Sequence, residues 1–285
     1  MSVQHVLFDV AGPVARRRTR IVTGISVVAI VGALGLVYFQ LYSSGALAPS
    51  KWLTFTEPGT LRYFRGALAN TALAALGAGA LAVPLGLIMA LGRLSASPLL
   101  RVPATAYIEF FRAVPVLLVI YAFMFALPQY GINPSVYYKL AIPIGLCTSA
   151  VLAEVFRAGV LAIPRGQNEA GLAVGLTDGQ SFRTVVFPQA LRVIVPALVA
   201  QAVIVVKDTA FGYVVSYPEL QQSARVLVAN TGDLVQTYFV VTVVYIVVNV
   251  IISRLAVIID RRLATRAAGR RRQPLSVLTG RGPLP

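Results

Sequence analysis

Long apolar stretches recur along this chain, and they limit the folds that it can adopt. The first covers residues 21–42, and the others lie at about 66–91, 104–127, 136–156, 191–206 and 234–259. About 20 apolar residues are enough for a helix to cross the hydrocarbon core of a bilayer. The pattern therefore predicts an all-α, polytopic membrane protein with six transmembrane helices.

The composition agrees with this prediction. The chain is 57% hydrophobic and 12% charged, with a mean hydropathy of +0.77, which excludes an ordinary soluble domain. Its lone histidine, His5, and lone cysteine, Cys147, leave little material for metal binding or catalysis. The net charge of +15 would indicate a nucleic-acid-binding protein if the chain were soluble, so the distribution of that charge matters.

The basic residues divide unevenly between the two sides of a six-span topology. Segments on the side that holds both termini carry 19 of the 25 Lys and Arg residues, and the opposite side carries six. Cytoplasmic loops are enriched in Lys and Arg. Both termini and the loop 157–192 are therefore expected in the cytoplasm. The positive charge follows from this topology, and no nucleic-acid partner is expected.

The expected organisation follows from these spans. It comprises a cytoplasmic N-terminal tail (1–20), an additional transmembrane helix (21–42), an outer loop (43–65), a five-helix core (66–260) containing the cytoplasmic loop 157–192, and a basic, disordered cytoplasmic tail (261–285). A cleaved signal peptide is the alternative for the first span, because Ala46-Leu47-Ala48 offers a cleavage site. The apolar run exceeds the ~7–15 residues of a signal core, which favours a retained anchor.

The polar loop between the fourth and fifth spans carries signals for two short helices. Asn168 can cap a helix over 169–174, and Gly175 can stop it. The segment 177–180, Thr-Asp-Gly-Gln, has the spacing of a capping box for a second helix. That helix is expected to end near Pro188. These signals alone fit an amphipathic connector as well as a functional lever.

The order of residues in this loop resembles the Glu-Ala-Ala loop of importer permeases of the ATP-binding-cassette (ABC) class. The family pattern is E-A-A, a gap, G, nine residues and I-x-L-P, and Glu169, Ala170, Gly175 and Pro188 match it at that spacing. The departures replace one small or apolar residue by another, at Gly171, Val185 and Phe187. In that family the loop forms a coupling helix that docks on a cytoplasmic ATPase. We expect the missing methyl group at Gly171 to loosen docking. The resemblance implies ATPase-coupling roles for Gly166, Gln167, Glu169, Ala170, Gly171 and Gly175.

Several polar residues lie where the membrane makes them costly. Glu109 and Arg112 are three residues apart, as are Glu154 and Arg157, so each pair can share a helix face near the inner boundary. Anchoring of helix ends and a role in transport both remain open for these residues. The candidate residues for a substrate pathway or gate are Asn70, Thr71, Glu109, Arg112, Glu154, Lys207, Asp208 and Thr209.

Further segments resemble one branch of these permeases, which serves histidine, glutamine, glutamate and arginine uptake. They are Asn70-Thr71, 107–112 with Pro115, Gly166-Gln167, 188–192 and Lys207-Asp208-Thr209. The resemblance covers about residues 65–259 and is best to glutamate permease subunits, although Ala210 stands where that family usually has serine. It implies the type I ABC importer architecture, with six transmembrane helices in the cell inner membrane.

The resemblance also implies the partners. They are a cytoplasmic ABC ATPase dimer that carries ATP and Mg, a second permease subunit, an extracytoplasmic amino-acid-binding protein and membrane lipid. A homologous heterodimer of permeases is favoured over a homodimer. The chain has no G-x-x-x-x-G-K-[ST] phosphate loop, so we expect a transport subunit that binds no cofactor itself.

Two other classes of protein remain as alternatives. A secondary transporter or channel would also have six spans, but it should carry functional charges at mid-span, whereas the charges here gather at helix ends. A membrane-embedded enzyme would need a nucleophile or an acid–base set, for which the apolar spans supply few His, Cys or Asp residues. Neither class explains the spacing from Glu169 to Pro188.

Overall fold

The computed structural model describes the backbone of residues 12–271, and side chains in that range except at 256, 257 and 259–271. Every regular element in this range is helical. The chain divides into two compact units, and the division falls between Glu57 and Pro58 in the sequence.

The first unit contains one long helix. Helix α1 (Pro13–Ser43) has no buried residue and exposes apolar side chains around its whole circumference. A helix that is apolar on every face suits lipid on every face. α1 starts inside the predicted polar tail, because Pro13 occupies a first-turn position where a proline loses no hydrogen bond. A short helix α2 (Pro49–Leu53) and a 3₁₀ turn (Thr54–Thr56) follow within the predicted loop.

The second unit contains the remaining helices. They are α3 (Pro58–Leu94), α4 (Pro98–Ala113), α5 (Val116–Tyr121), α6 (Val136–Leu161), α7 (Arg165–Ala173), α8 (Asp178–Ser181), α9 (Phe187–Asp208), α10 (Leu220–Thr231) and α11 (Leu234–Arg271). Irregular helical turns join some of them, namely a π turn (Ala122–Ala126) and a 3₁₀ turn (Leu127–Tyr130) after α5, a π turn (Phe182–Val186) after α8 and a 3₁₀ turn (Thr209–Val215) after α9.

The number of membrane spans agrees with the prediction. In the described residues, five helical segments are long and apolar enough to cross a bilayer, and a bent pair of helices brings the number to six. The five are Pro13–Ser43, Pro58–Leu94, Val136–Leu161, Asp178–Val215 and Leu234–Leu255. The all-α, polytopic fold is confirmed.

The third span differs from the prediction. A single helix over 104–127 is expected from the apolar run, but the chain bends by 97° between α4 and the helical segment Val116–Tyr130. Val114 is extended, with φ −87° and ψ 125°. The cause is Pro115, because a proline disfavours the helical conformation of the preceding residue. The prediction of a continuous third span is therefore wrong.

The second unit is built on close packing between α3 and α6. The buried positions of α3 form a stripe of small residues, namely Ala67, Thr71, Ala74, Ala78, Ala82, Gly86 and Ala90. A Cβ atom on Gly86 would lie 2.8 Å from the Ser149 carbonyl oxygen, and one on Gly145 would lie 3.1 Å from the Ala78 carbonyl oxygen. Small residues allow such close approach of helix backbones in lipid. This pair also carries Arg93, on α3, and Glu154, on α6.

The C-terminal helix extends beyond its predicted end. The sixth span was expected to finish near residue 259 and to lead into a disordered tail, yet the backbone of α11 stays helical to Arg271. Arg, Ala and Leu are good helix formers, which explains continuation past the apolar stretch. The rest of the predicted tail, residues 272–285, lies outside the described residues, as do residues 1–11.

Candidate functional site

The loop predicted to couple to an ATPase forms a helical hairpin, here called the polar hairpin (Arg165–Val186). Its first helix, α7, begins after Pro164, four residues before the predicted start. Pro164 has φ −55°, which suits a helix entry. Asn168 therefore lies inside α7 and does not cap it, so that prediction is wrong. The Asn168 side chain instead accepts a hydrogen bond from the Ser181 hydroxyl, at 2.7 Å.

The predicted stop at Gly175 is confirmed. Gly175 has φ +89°, in the left-handed region where glycine carries no Cβ penalty. The Gly175 amide donates to the Leu172 carbonyl oxygen at 2.9 Å, and the Leu176 amide donates to that of Gly171 at 3.2 Å. These two bonds are the Schellman arrangement that satisfies the last carbonyl groups of a helix.

The predicted capping box is also confirmed, at the start of α8. The Thr177 amide donates to Gln180 Oε1 at 2.9 Å, and the Gln180 amide donates to Thr177 Oγ1 at 3.4 Å. The predicted end of this second helix near Pro188 is wrong, because the chain passes through the π turn into α9. A proline ring clashes with the carbonyl group four residues earlier in a regular α-helix, and the wider π turn relieves that clash.

The six residues predicted to couple to an ATPase divide between two faces of α7 and its cap. Gly166, Gln167, Glu169, Ala170 and Gly175 are exposed, beside Val174, which is 78% exposed. Gly171 is buried inside the hairpin. A methyl group at this position would therefore face α8, and the expectation that its absence loosens docking stays a prediction.

A chain of ion pairs joins three helices of the core. We call it the ion-pair network, formed by Arg93, Glu109, Arg112, Glu154 and Arg157. Arg93, near the end of α3, contacts Glu154 of α6 at 2.6 Å and Glu109 of α4 at 2.9 Å. The two predicted local pairs are also present, Glu154–Arg157 at 2.9 Å and Glu109–Arg112 at 3.9 Å.

Sequence reasoning missed Arg93 as the link between the two pairs. The available signal was its position in the short basic turn after the second span, where a guanidinium group can reach neighbouring helix ends. The side chains of Arg93 and Glu154 are 23% and 21% exposed, whereas that of Glu109 is 55% exposed. The Arg93–Glu154 contact is therefore the most protected link between helices in the network.

A polar cavity of about 310 Å³ lies between α4, α6 and α9. It is lined by Phe111, Arg112, Cys147, Thr148, Val151, Gln201, Ile204 and Asp208. Two predicted pathway residues, Arg112 and Asp208, thus meet at one site. Within the described part of the chain Asp208 forms no ion pair, and the only one of Arg112 is the 3.9 Å contact with Glu109. A carboxylate and a guanidinium group can therefore both face a ligand in this cavity.

The other predicted pathway residues lie elsewhere. Thr209 is buried and its hydroxyl donates to the Val206 carbonyl oxygen at 2.7 Å. Lys207 is exposed and does not line the polar cavity. Asn70 Nδ2 donates to the Pro218 carbonyl oxygen at 2.9 Å, and the Leu220 amide donates to Thr71 Oγ1 at 3.2 Å. Asn70 and Thr71 therefore attach the start of α10 to α3.

The buried carboxylate of Glu219 lies at the same place, immediately before α10, and was not identified from the sequence as a functional residue. It is fully buried and caps α10 by accepting bonds from the Gln221 and Gln222 amides, both at 2.7 Å, and from the Tyr245 hydroxyl at 3.0 Å. Burial raises the pKa of Glu219 to about 7, although these three donors act to lower it. An acidic residue directly before a short polar helix was the signal that could have identified it.

Comparison with known proteins identifies the family. Residues 82–265 match the model of the family described as binding-protein-dependent transport system inner membrane component. The chain is 35% identical over 240 residues to the glutamate transport system permease protein GluD of Corynebacterium glutamicum, covering 82% of this chain and 86% of that protein. It is 30% identical over 187 residues to the glutamate/aspartate import permease protein GltK of Escherichia coli O6:H1, covering 63% of this chain and 84% of that protein.

A solved structure agrees with this relationship. A crystal structure described as an amino acid ABC transporter with histidines superposes with a TM-score of 0.70 at 28% identity, covering 74% of this chain and 98% of that chain. The matched family supplies membrane components of transport systems, which agrees with the apolar spans and with a transport subunit rather than an enzyme. The chain belongs to the family of inner membrane components of binding-protein-dependent transport systems.

Proposed function

We propose that this chain is the permease subunit of an ATP-driven ABC importer for a polar amino acid, most specifically glutamate. The observation that carries this proposal is the 35% identity to a glutamate transport permease over 82% of the chain. Glutamate is the finer part of the proposal, since a probable glutamine ABC transporter permease protein, GlnM of Bacillus subtilis, is 30% identical over 194 residues, which cover 68% of this chain and 90% of that protein.

The proposed partners follow from the same relationship. A cytoplasmic ATPase dimer hydrolyses ATP with Mg, an extracytoplasmic binding protein delivers the amino acid, and a homologous second permease completes the pore. The polar hairpin provides the contact with the ATPase. Its capped ends and its exposed Glu169, Ala170 and Val174 support this role, because a helix held at both ends transmits displacement to α9. Both chain termini then lie in the cytoplasm with the hairpin.

The polar cavity is the proposed point of passage through this subunit. Arg112 can pair with the α-carboxylate of an amino acid, and Asp208 can pair with its α-ammonium group. Thr148 and Gln201 add donors for a polar side chain, such as the second carboxylate of glutamate. Both residues also line a larger apolar cavity of about 680 Å³, bounded by α3, α6, α9 and α11. The polar cavity offers few polar groups and adjoins the apolar cavity, so we expect it to bind an amino acid weakly and transiently during transport.

The first experiment is purification of the detergent-solubilised chain from its native membrane, with identification of the proteins that accompany it. We expect a stoichiometric ATPase, and a second permease that distinguishes a heterodimer from a homodimer. The complex is then reconstituted in proteoliposomes with its binding protein, and uptake of labelled glutamate is measured with ATP inside. Unlabelled glutamine, aspartate and arginine serve as competitors.

Two results would contradict the proposal at different levels. Uptake that persists without ATP, by a chain that purifies alone, would identify a secondary transporter. ATP-dependent uptake that prefers glutamine over glutamate would keep the assignment as an importer and exclude glutamate as its preferred substrate.

The role of the polar cavity is tested by substitution. Arg112→Gln should reduce uptake at least tenfold, whereas Arg65→Gln, an equal change at an exposed arginine outside both cavities, should not. Equal uptake by the two variants would remove Arg112 from the pathway.

A further inference from the structure

The packing around Gly171 shows why this chain departs from the Glu-Ala-Ala pattern. A Cβ atom built on Gly171 would lie 2.5 Å from Ser181 Oγ and 3.1 Å from Ser181 Cβ. Carbon and oxygen atoms that are not bonded do not approach so closely without a shift of the structure. Glycine weakens a helix relative to alanine, so its presence inside α7 requires a compensating contact. That contact is the close approach of α8.

Ser181 uses the space that Gly171 leaves. Its side chain is fully buried, and its hydroxyl donates to Asn168 Oδ1 at 2.7 Å, with the Asn168 carbonyl oxygen at 3.3 Å. A buried hydroxyl group is costly unless it is hydrogen-bonded, so this bond holds α7 and α8 at one separation. The Leu176 side chain lies 3.6 Å from the same Gly171 Cβ position and closes the contact from the turn.

A second bond further along the hairpin ties it to the membrane helix. Gln189 Nε2, in the first turn of α9, donates to Gln167 Oε1 at 3.0 Å and to the Val185 carbonyl oxygen at 2.9 Å. Residues 167, 168 and 171 lie within about one turn of α7. One side of α7 is thus bonded to α8 and α9, while Glu169 and Ala170 remain exposed.

We propose that Gly171, Ser181 and Asn168 form an interhelical lock, which sets the angle at which Glu169, Ala170 and Val174 meet the ATPase. The three are positioning residues, since Gly171 and Ser181 are buried and Asn168 bonds inward. The consequence of the lock for ATPase docking rests on the proposed function, whereas its geometry is a feature of the hairpin itself. Gly171 and Ser181 form a matched pair, so enlarging the first is tolerated only when the second is reduced.

The test uses Gly171→Ala, Ser181→Gly and the double variant, in the full chain with its native partners. Gly179→Ala is the matched control, because it makes the same change in the same hairpin where a Cβ atom meets nothing within 4 Å. Two quantities are measured. The first is hydrogen–deuterium exchange of residues 165–186 in the solubilised chain, and the second is the concentration of ATPase needed for half-maximal association and uptake.

Gly171→Ala should raise exchange across the hairpin and weaken ATPase association about tenfold. Ser181→Gly deletes the hydroxyl that bonds to Asn168 and should also raise exchange, but the double variant should be no worse than Gly171→Ala, because the clash with Ser181 is then absent. Gly179→Ala should change neither quantity. Normal exchange in Gly171→Ala, or losses that simply add in the double variant, would overturn the lock. Altered exchange with unchanged ATPase affinity would overturn its positioning role. If the unaltered chain binds no ATPase, the proposed function fails, and the exchange data still decide on the lock.

Discussion

Replacing Arg93 tests whether the ion-pair network holds α3, α4 and α6 together. Arg93→Gln removes the charge that contacts both Glu154 and Glu109, at 2.6 and 2.9 Å. Glutamine keeps much of the volume and polarity of the arginine stem. The change therefore reports mainly on the ion pairs.

The expected magnitude follows from exposure and from the remaining partners. Exposed ion pairs contribute about 0.2–1 kcal/mol, and removing one partner of a fully buried pair costs about 3–5 kcal/mol. The Arg93–Glu154 contact lies between these limits, since both side chains are about one-fifth exposed. Glu154 also retains Arg157, at 2.9 Å, which limits the loss. We expect a coupling free energy of about 1.5 kcal/mol for Arg93–Glu154 and about 0.5 kcal/mol for Arg93–Glu109.

Two double-mutant cycles measure these couplings separately. One combines Arg93→Gln with Glu154→Gln, and the other combines Arg93→Gln with Glu109→Gln. The free energy of unfolding is obtained by titrating the solubilised chain with a denaturing detergent at low and high salt. Arg101→Gln, at an exposed arginine without an ion pair in the described residues, is the control for loss of one positive charge.

The ordering of the two couplings is the decisive result. The coupling with Glu154 should be the larger and should persist in high salt, because the pair is shielded from solvent, whereas the coupling with Glu109 should fall. Equal couplings, or a coupling with Glu154 that disappears in salt, would refute the assignment of Arg93 as the link between helices.

Three further substitutions test separate features, each by stability of the solubilised chain. Gly86→Val should lower the free energy of unfolding by about 2–3 kcal/mol, because its Cβ would lie 2.8 Å from a backbone oxygen of α6. Gly79→Val is the control: its Cβ meets nothing within 4 Å, so the loss should be less than about 1 kcal/mol. Equal losses in the two variants would contradict the close contact. Glu219→Gln should flatten the pH dependence of the melting temperature. The folded pKa of Glu219, about 7, lies above its ordinary value of 4.5, so the folded chain holds this proton more tightly than the unfolded chain does. The resulting contribution to stability is complete below pH 4.5 and is lost as the pH rises through 7. An unchanged pH dependence in the variant would show that Glu219 is not its source. Gly175→Ala should cost about 1 kcal/mol through backbone strain alone, because φ is +89° with free space around it, and a neutral result would place the strain elsewhere.

The features that sequence predicts well are those that depend on neighbouring residues. Apolar length predicts the spans, and the capping box at Thr177–Gln180 and the stop at Gly175 depend on bonds between residues at most five apart. The same local rules fail where more than one helix start is possible. Asn168 is a suitable type of residue for a cap, but α7 begins earlier, after Pro164, and the Asn168 side chain accepts a bond from Ser181, thirteen residues away.

Contacts between distant segments of the chain are not readable from one sequence. Arg93 and Glu154 are 61 positions apart, and their meeting depends on how α3 crosses α6. The bend at Pro115 is partly readable, since the proline is visible, but its angle of 97° depends on the packing of both halves. The polar cavity likewise requires three helices, so only its members Arg112 and Asp208 could be proposed beforehand.

The two glycine contacts between α3 and α6 also constrain how this protein can move. On α3 they lie about 12 Å apart, at 1.5 Å per residue, and each places one backbone directly against the other helix. Sliding by one residue, or rotation about either axis, would drive a bulkier side chain into a backbone. α3 and α6 must therefore travel together as one body during transport. Displacement is left to the hinges outside that body, above all the broken helix at Pro115 and the π turn that leads into α9.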